Sequence, residues 1–313
     1  MKIGLDISGG DFAPDAIVRG AMLAVSELSA DDRILLIGDE NNARNIISIA
    51  GFDPELFEYS HTEEFIGMSE HPVKALTKKP DSSIGIGFRH LKEGSIQAFA
   101  SAGNTGAMMV GAMYSVKTID GVHRPAIASV LPKESGKYGL LLDVGANADC
   151  KPEVLVQFAV MGSLYAQNVY GLSNPRVGLL NLGEEEEKGN LLTQQTFQLL
   201  KQTPNINFIG NIEGRDLFSD LADVVVCDGF TGNVVLKMAE SFFVLTRKRG
   251  FRDSFFDMFN YEMHGGSPIV GVNAPVIIGH GISNAEAIKN MILFSKKVHE
   301  SSISQKIKKA LNG

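Results

Sequence analysis

The chain has 313 residues, 44% of them hydrophobic and 21% charged, and its formal net charge is −7. This suits a globular α/β protein of one large domain or two smaller ones, and the negative balance argues against broad contact with nucleic acid. Two cysteines, Cys150 and Cys227, cannot form a disulfide framework, and no apolar run approaches the ~18 residues of a membrane-crossing helix. Met1 to Asp6 enters a strand at once, without the apolar region of a signal peptide, and the cysteine usage fits a reducing cytoplasm. A strand near 2–7 leads to a helical pattern at 13–29, with Pro14 near its start. A strand at 34–38 precedes a helix at 40–50. A helix at 82–93, a strand at 97–101 and a helix at 104–118 follow. Strands at 126–131 and 139–144 come before a helix at 152–170, which opens on Pro152. Then come a strand at 176–181, a helix at 189–203, strands at 206–210 and 223–228 and a helix at 233–247. A strand at 275–279 and a helix at 283–310 close the series. This alternation predicts a mainly parallel sheet covered on both faces. With no repeat or linker visible, residues 1–313 read as a single α/β domain, interrupted by a helical excursion at about 241–263.

Five Gly-rich turns follow strand-like runs: Ser8-Gly9-Gly10-Asp11, Ser101 to Gly106, Asp143 to Asn147, Asn181-Leu182-Gly183 and Asp228 to Asn233. In a parallel sheet such turns lie at the carboxyl ends of strands, where ligands bind. Glycine lets backbone N–H groups approach an anion, and the following helix adds a favourable dipole. Five in one chain describe a site for a phosphate-like ligand, although any one alone reads equally as a turn. Neither G-x-G-x-x-G nor G-x-x-x-x-G-K-[ST] occurs, so a dinucleotide site and a P-loop are unsupported. There is no G-x-S-x-G elbow, and the histidines and cysteines lack metal-ligand spacing. No metal and no cofactor is expected.

Within Gly183-Glu184-Glu185-Glu186-Glu187-Lys188-Gly189-Asn190, the glutamates read as a solvated acidic loop. Lys188 is either their counter-ion or a point charge for bound phosphate. Asn104, Thr105, Thr231 and Asn233 stand at helix entries, where they either cap the helix or bind an oxyanion. Arg124 and Arg215 are open to phosphate recognition or to surface ion pairing. Cys150 has no identified histidine partner and is a weak nucleophile candidate.

Six of the 18 phenylalanines lie in 242–259, beside Arg247, Lys248, Arg249 and Arg252. Phe251, Phe255, Met258 and Phe259 would share one helical face. An interfacial helix on an anionic membrane and a hairpin buried in a core or dimer interface both fit that pattern.

Taken in order, Gly9-Gly10-Asp11, Ser101 to Ala107, Arg124-Pro125-Ala126, Leu142 to Asn147, Gly183 to Asn190, Gly210 to Asp216, Asp228 to Asn233, Gly265 to Pro268 and Gly279-His280-Gly281 resemble the bacterial phosphate acyltransferases of phospholipid synthesis along essentially the whole chain. Ile7-Ser8 before Gly9 departs slightly, since Met is expected next to the glycines. The resemblance implies a three-layer α/β/α Rossmann-like sandwich, similar to phosphotransacetylases and isopropylmalate dehydrogenases. It implies a homodimer, cytoplasmic and peripherally associated with the inner face of the membrane. Its partners would be acyl carrier protein, inorganic phosphate, an anionic membrane surface and a membrane glycerol-3-phosphate acyltransferase. Lys188 and Asn233 are then the expected catalytic residues. Gly9, Gly10, Asp11, Asn104, Thr105, Asn147, Asn190 and Thr231 are expected to bind phosphate or substrate. Arg247, Lys248, Arg249, Arg252, Phe251, Phe255 and Phe259 are expected to meet carrier protein or membrane. A short-chain phosphotransacetylase and a non-catalytic acyl-binding scaffold are the competing expectations.

Overall fold

The computed structural model describes residues 1–312, and the chain divides into two compact units. The first unit comprises Met1–Thr118 and Tyr261–Ser302. In chain order it opens with β1 (Lys2–Asp6), α1 (Asp15–Val25), β2 (Arg33–Gly38), α2 (Glu40–Ile49) and β3 (Glu58–His61). It continues with α3 (Pro72–Lys78), α4 (Ser83–Glu93), β4 (Ala98–Ser101) and α5 (Thr105–Gly111), whose last turn widens into a π-helix over Ala112–Val116. The second unit comprises Ile119–Asn260 and Ile303–Gly313. Its strands and helices are β5 (Ala126–Pro132), β6 (Tyr138–Leu142), α6 (Pro152–Val169), β7 (Arg176–Leu180), α7 (Leu191–Gln202), β8 (Asn207–Ile212), β9 (Val224–Val226), α8 (Gly229–Lys248) and α9 (Ser254–Asp257). The chain then returns to the first unit for β10 (Ser267–Val270), β11 (Val276–Ile278) and α10 (Ala285–Glu300), and ends in the second with α11 (Ile303–Asn312).

In the first unit the strand order is β3-β2-β1-β4-β11-β10, parallel except for the β10/β11 pair. β1 and β4 are buried apolar runs, as strands covered on both faces must be. From β1 the chain crosses to β2 on one side and later returns to β4 on the other. The carboxyl ends of β1 and β4 therefore form a topological switch point, the place where open α/β sheets bind ligands. In the second unit the order is β5-β6-β9-β7-β8, parallel except for the β5/β6 hairpin. Val226 pairs with Leu142 on one side and Leu179 on the other, so the ends of β6, β9 and β7 are level. Gly162 lets α6 lie against this sheet: a Cβ there would stand 2.7 Å from Val224. Mostly parallel sheets with packed helices make the molecule an α/β sandwich, as the periodicity predicts.

Several boundaries differ from the sequence expectation. β3, α3 and β10 are additional elements; the strands are short, and β3 is only half-buried, which weakens its apolar signal. α8 begins at Gly229 rather than 233, because Asp228 caps it by accepting from the N–H of Thr231 at 2.9 Å. The segment expected as one helix at 283–310 breaks after α10, where Ser302 adopts a φ of 53°.

Candidate active site

Each Gly-rich turn is built around a side chain that sets its polarity. At the β1/β4 switch point this is Asp6, which is fully buried and accepts from the Ser101 hydroxyl at 2.6 Å and the Ser8 N–H at 2.9 Å. Burial raises its pKa, partly offset by those hydrogen bonds. Ser101 in turn accepts from the Gly103 N–H at 2.9 Å. Gly9 permits the two turns to touch: a Cβ there would lie 2.7 Å from Gly103 Cα. Gly10 adopts a φ of +105°, which glycine reaches without strain, and the Asp11 N–H donates to Gly281 O at 2.7 Å. Asn104 caps α5 through the Ala107 N–H, while its Nδ2 donates to the carbonyls of Gly67, Met68 and Glu70. Its carboxamide is thus occupied within the fold. Asp11 and Thr105 are exposed beside it.

In the second unit three turns lie side by side at the ends of β6, β9 and β7. Asp143, fully buried, follows β6. Its carboxylate accepts from the backbone N–H groups of Ile127, Gly145, Ala146 and Asn147 at 3.0, 3.2, 3.1 and 2.7 Å. It also accepts from Asn147 Nδ2 at 2.9 Å, and that amide reaches Pro125 O at 2.8 Å. Asn147 is therefore tied into the turn and largely buried.

Asp228 stands at the start of α8, holding both the N–H and the hydroxyl of Thr231. Gly229 donates to Asn147 O at 2.7 Å, and the absence of a side chain at Gly232 lets α8 rest on the Asp143 carbonyl. Thr231 and Asn233 fall inside the first turns of α8 and do not cap it. Asn233 is exposed, and one amide N–H donates to Val144 O at 3.1 Å.

After β7, Lys188 lies exposed with its stem over Gly183, where a Cβ would come within 2.9 Å of Lys188 Cγ. The neighbouring glutamates find other cations: Glu186 pairs with Lys201 at 2.7 Å and Glu184 with Arg215 at 3.5 Å. Among the described residues the Lys188 ammonium has no ion-pair partner, so no glutamate of the loop holds it in a direct pair. Asn190 caps α7 by accepting from the Thr193 N–H at 2.9 Å. Among the described residues the N–H groups of Gly189 and Asn190 have no acceptor.

The remaining candidates divide differently. Arg215 is a surface ion-pair residue, with Glu213 at 2.7 Å. Among the described residues Arg124 donates only to Asp149 O, at 3.3 Å. Burial pushes the Cys150 thiol up to about 11, which suppresses its thiolate at neutral pH.

About 13 Å along α8 from Asn233, at the helical rise of ~1.5 Å per residue, the basic-aromatic segment begins with Phe242. No continuous helix spans 251–259: α8 ends at Lys248, Gly250 follows with a φ of +72°, and α9 starts afresh with Asp253 as its cap. Phe255 and Phe259 pack edge-to-face on Phe218 at 6.2 and 5.1 Å, and Phe259 is buried. Arg247 pairs with Asp257 at 2.7 Å and lies over Phe243. Lys248, Arg249, Phe251 and Arg252 remain exposed around the break.

Sequence reasoning passed over Asp6, Asp143 and Asp228, although an Asp at the strand end before a Gly-rich turn occurs three times. It also passed over Phe218, far from the other phenylalanines in sequence.

An α/β sandwich of this kind is shared with solved acyl-transferring enzymes. A phosphotransacetylase from Streptococcus pyogenes matches with a TM-score of 0.72 at 17% identity, over 96% of this chain and 94% of that one. A branched-chain phosphotransacylase from Enterococcus faecalis V583 matches with a TM-score of 0.61 at 15% identity, over 95% and 99%. At such identities the likeness defines the fold. Sequence goes further. The family model described as "Fatty acid synthesis protein" matches residues 1–249. The phosphate acyltransferase of Dictyoglomus turgidum is 40% identical, over 100% of this chain and 98% of that protein. The phosphate acyltransferase of Desulforamulus reducens is 44% identical, over 99% and 97%. The chain belongs to this phosphate acyltransferase family and is an acyltransferase.

Proposed function

We propose that the protein transfers a long-chain fatty acyl group from acyl carrier protein to inorganic phosphate, releasing acyl phosphate and free carrier protein. The observation that carries this reading is the unpaired Lys188 ammonium beside the acceptor-free N–H groups of Gly189 and Asn190, in a loop where Glu184 and Glu186 are paired with Arg215 and Lys201. Such a combination suits a small, multiply charged anion. A phosphate oxygen attacks the thioester carbonyl carbon, forming a tetrahedral oxyanion. The C–S bond then breaks, and the leaving carrier thiolate takes a proton from solvent. Phosphate is an anionic nucleophile at neutral pH and a thioester is an activated donor, so positioning and oxyanion stabilisation are the protein's main tasks. Lys188 holds phosphate and offsets its charge. Asn233, whose amide has a second N–H, donates to phosphate or to the thioester carbonyl.

The exposed group Lys248, Arg249, Phe251 and Arg252 supports contact with an acidic surface, either carrier protein or anionic membrane. No helix among the described residues is long and apolar enough to cross a membrane. Exposed Phe230, Val234 and Met238, spaced four residues apart on α8, support a homodimer. The product would pass to a membrane glycerol-3-phosphate acyltransferase.

The test is phosphate-dependent release of free carrier protein from palmitoyl-carrier protein, run beside palmitoyl-CoA and acetyl-CoA. Turnover with the carrier thioester is expected. Turnover only with acetyl-CoA would instead assign the chemistry named in the S. pyogenes structural relative.

A further inference from the structure

The loop after β7 achieves its polarity through three carboxamide side chains. Asn181 Nδ2 donates to Lys188 O at 3.1 Å. Asn211 Nδ2, from the end of β8, donates to Glu185 O at 2.9 Å. Gln194 Nε2, from the first turn of α7, donates to Glu187 O at 2.7 Å and Gly189 O at 3.2 Å. Four carbonyl oxygens between 185 and 189 are thereby taken up. The Lys188 N–H is also fixed, donating to Glu185 O at 3.1 Å. The backbone at Lys188 is therefore held on both sides, and among the described residues the N–H groups that follow it, of Gly189 and Asn190, are left unpaired. A carbonyl oxygen turned towards the same place would repel a phosphate.

Asn211 makes its contact under an energetic handicap. It is 7% exposed, and with Nδ2 on Glu185 O its own Oδ1 is buried without a partner. An unpaired buried acceptor is costly, and such costs concentrate where function requires a fixed geometry.

We propose that Asn181, Gln194 and Asn211 are positioning residues for phosphate: they draw the loop's carbonyls inward and so present Lys188 and the Gly189 and Asn190 N–H groups to the anion. This rests on the reading of Lys188 as the phosphate-binding cation. The clearest variants are Gln194→Met, which keeps length and shape but removes the donor, and Asn181→Ala. Each is expected to raise the KM for inorganic phosphate about tenfold or more, the scale on which a small misplacement of binding groups acts. The KM for the acyl donor and the melting temperature are expected to stay near those of the parent. Amide hydrogen exchange across 185–190 is expected to quicken in both variants, while inorganic phosphate slows exchange at Gly189 and Asn190 in the parent. Combined with Lys188→Ala, either change is expected to add less than about twofold, because the effects are coupled. Phosphate KM values within twofold of the parent in both single variants would overturn the proposal, as would fully additive losses with Lys188→Ala. Should Lys188→Ala alone remain near-normal while the carboxamide variants lose phosphate, the lysine assignment falls and the carboxamide positioning stands.

Discussion

Two Gly-rich turns on the same edge of the second unit, 143–147 and 183–190, have opposite polarity. In the first, the carboxylate of Asp143 collects the N–H groups of Gly145, Ala146 and Asn147, leaving none of the three for a ligand. In the second, carboxamide donors collect the carbonyls, and N–H groups beside a lysine stay unpaired. Glycine content is similar in both. The difference lies in the side chain that organises the turn: an acceptor makes it inert to anions, and donors make it receptive. The first turn is better read as a buttress, since the Asn147 carbonyl receives Gly229 and the Asp143 carbonyl supports α8 at Gly232.

The comparison breaks most sharply at Asp143. In Asp143→Ala four backbone donors lose their acceptor in a buried site, and each unsatisfied donor costs ~1–3 kcal/mol. Chemical denaturation is expected to report a loss of at least about 3 kcal/mol, even after solvent reaches some of the donors. A loss under ~1 kcal/mol would mean that the turn is held by its own backbone.

Lys188→Ala is expected to do the reverse. Its side chain is exposed and unpaired, so stability should change by less than ~0.5 kcal/mol. Phosphate-dependent kcat/KM should fall at least ~10²-fold, the order for one lost oxyanion partner. Near-normal turnover would remove Lys188 from the mechanism.

These assignments mark where sequence reading reaches and where it stops. Runs such as Leu140-Leu141-Leu142 and Val224-Val225-Val226 announce buried parallel strands because both faces are covered, and the parallel core follows. The antiparallel β5/β6 hairpin is hidden, since its strands carry the same apolar signal and direction leaves no trace in composition. At the site, the residue types before helices were visible but their use was not. Asn104 and Asn190 both cap helices, yet Asn104 spends its amide on three carbonyls of a distant loop, a contact across more than thirty residues that local spacing cannot encode. Lys188 was legible as a cation next to glycine. Its lack of a partner depends on where Lys201 and Arg215 fall in space.

At the far end of α8 the same distinction between occupied and available groups selects the variant. Phe255 and Phe259 are packed in the aromatic cluster around Phe218, so charging them would attack the fold. Phe251 is 55% exposed and is the informative position. Phe251→Asp is expected to weaken binding to anionic phospholipid vesicles about tenfold, since burying one phenylalanine is worth ~1.5–3 kcal/mol, while the melting temperature holds. Flotation with phosphatidylglycerol vesicles checks this. Unchanged flotation, with weakened carrier-protein binding, would move the contact to the carrier.

The smallest effect is expected at Cys150, and it bears on the chemistry itself. The thiol sits beside the buttress turn, its Sγ 3.6 Å from Asn147 O. Burial, then the nearby carboxylates of Asp143 and Asp228, push its pKa up to about 11. Because the folded value lies above the ordinary value of 9.0, the protonated thiol is favoured by folding: that contribution is complete below pH 9 and fades as the pH rises through 11. A covalent acyl-cysteine route needs the opposite shift, towards a thiolate at neutral pH. Iodoacetamide labelling at pH 8 is therefore expected to be slower at Cys150 than for an exposed thiol. Cys150→Ser should retain phosphate-dependent turnover within about twofold, a change of ~0.4 kcal/mol in the barrier. Loss of turnover together with an isolable acyl-cysteine would replace direct attack by phosphate with a two-step transfer. Retained turnover leaves phosphate, held by the receptive turn, as the nucleophile.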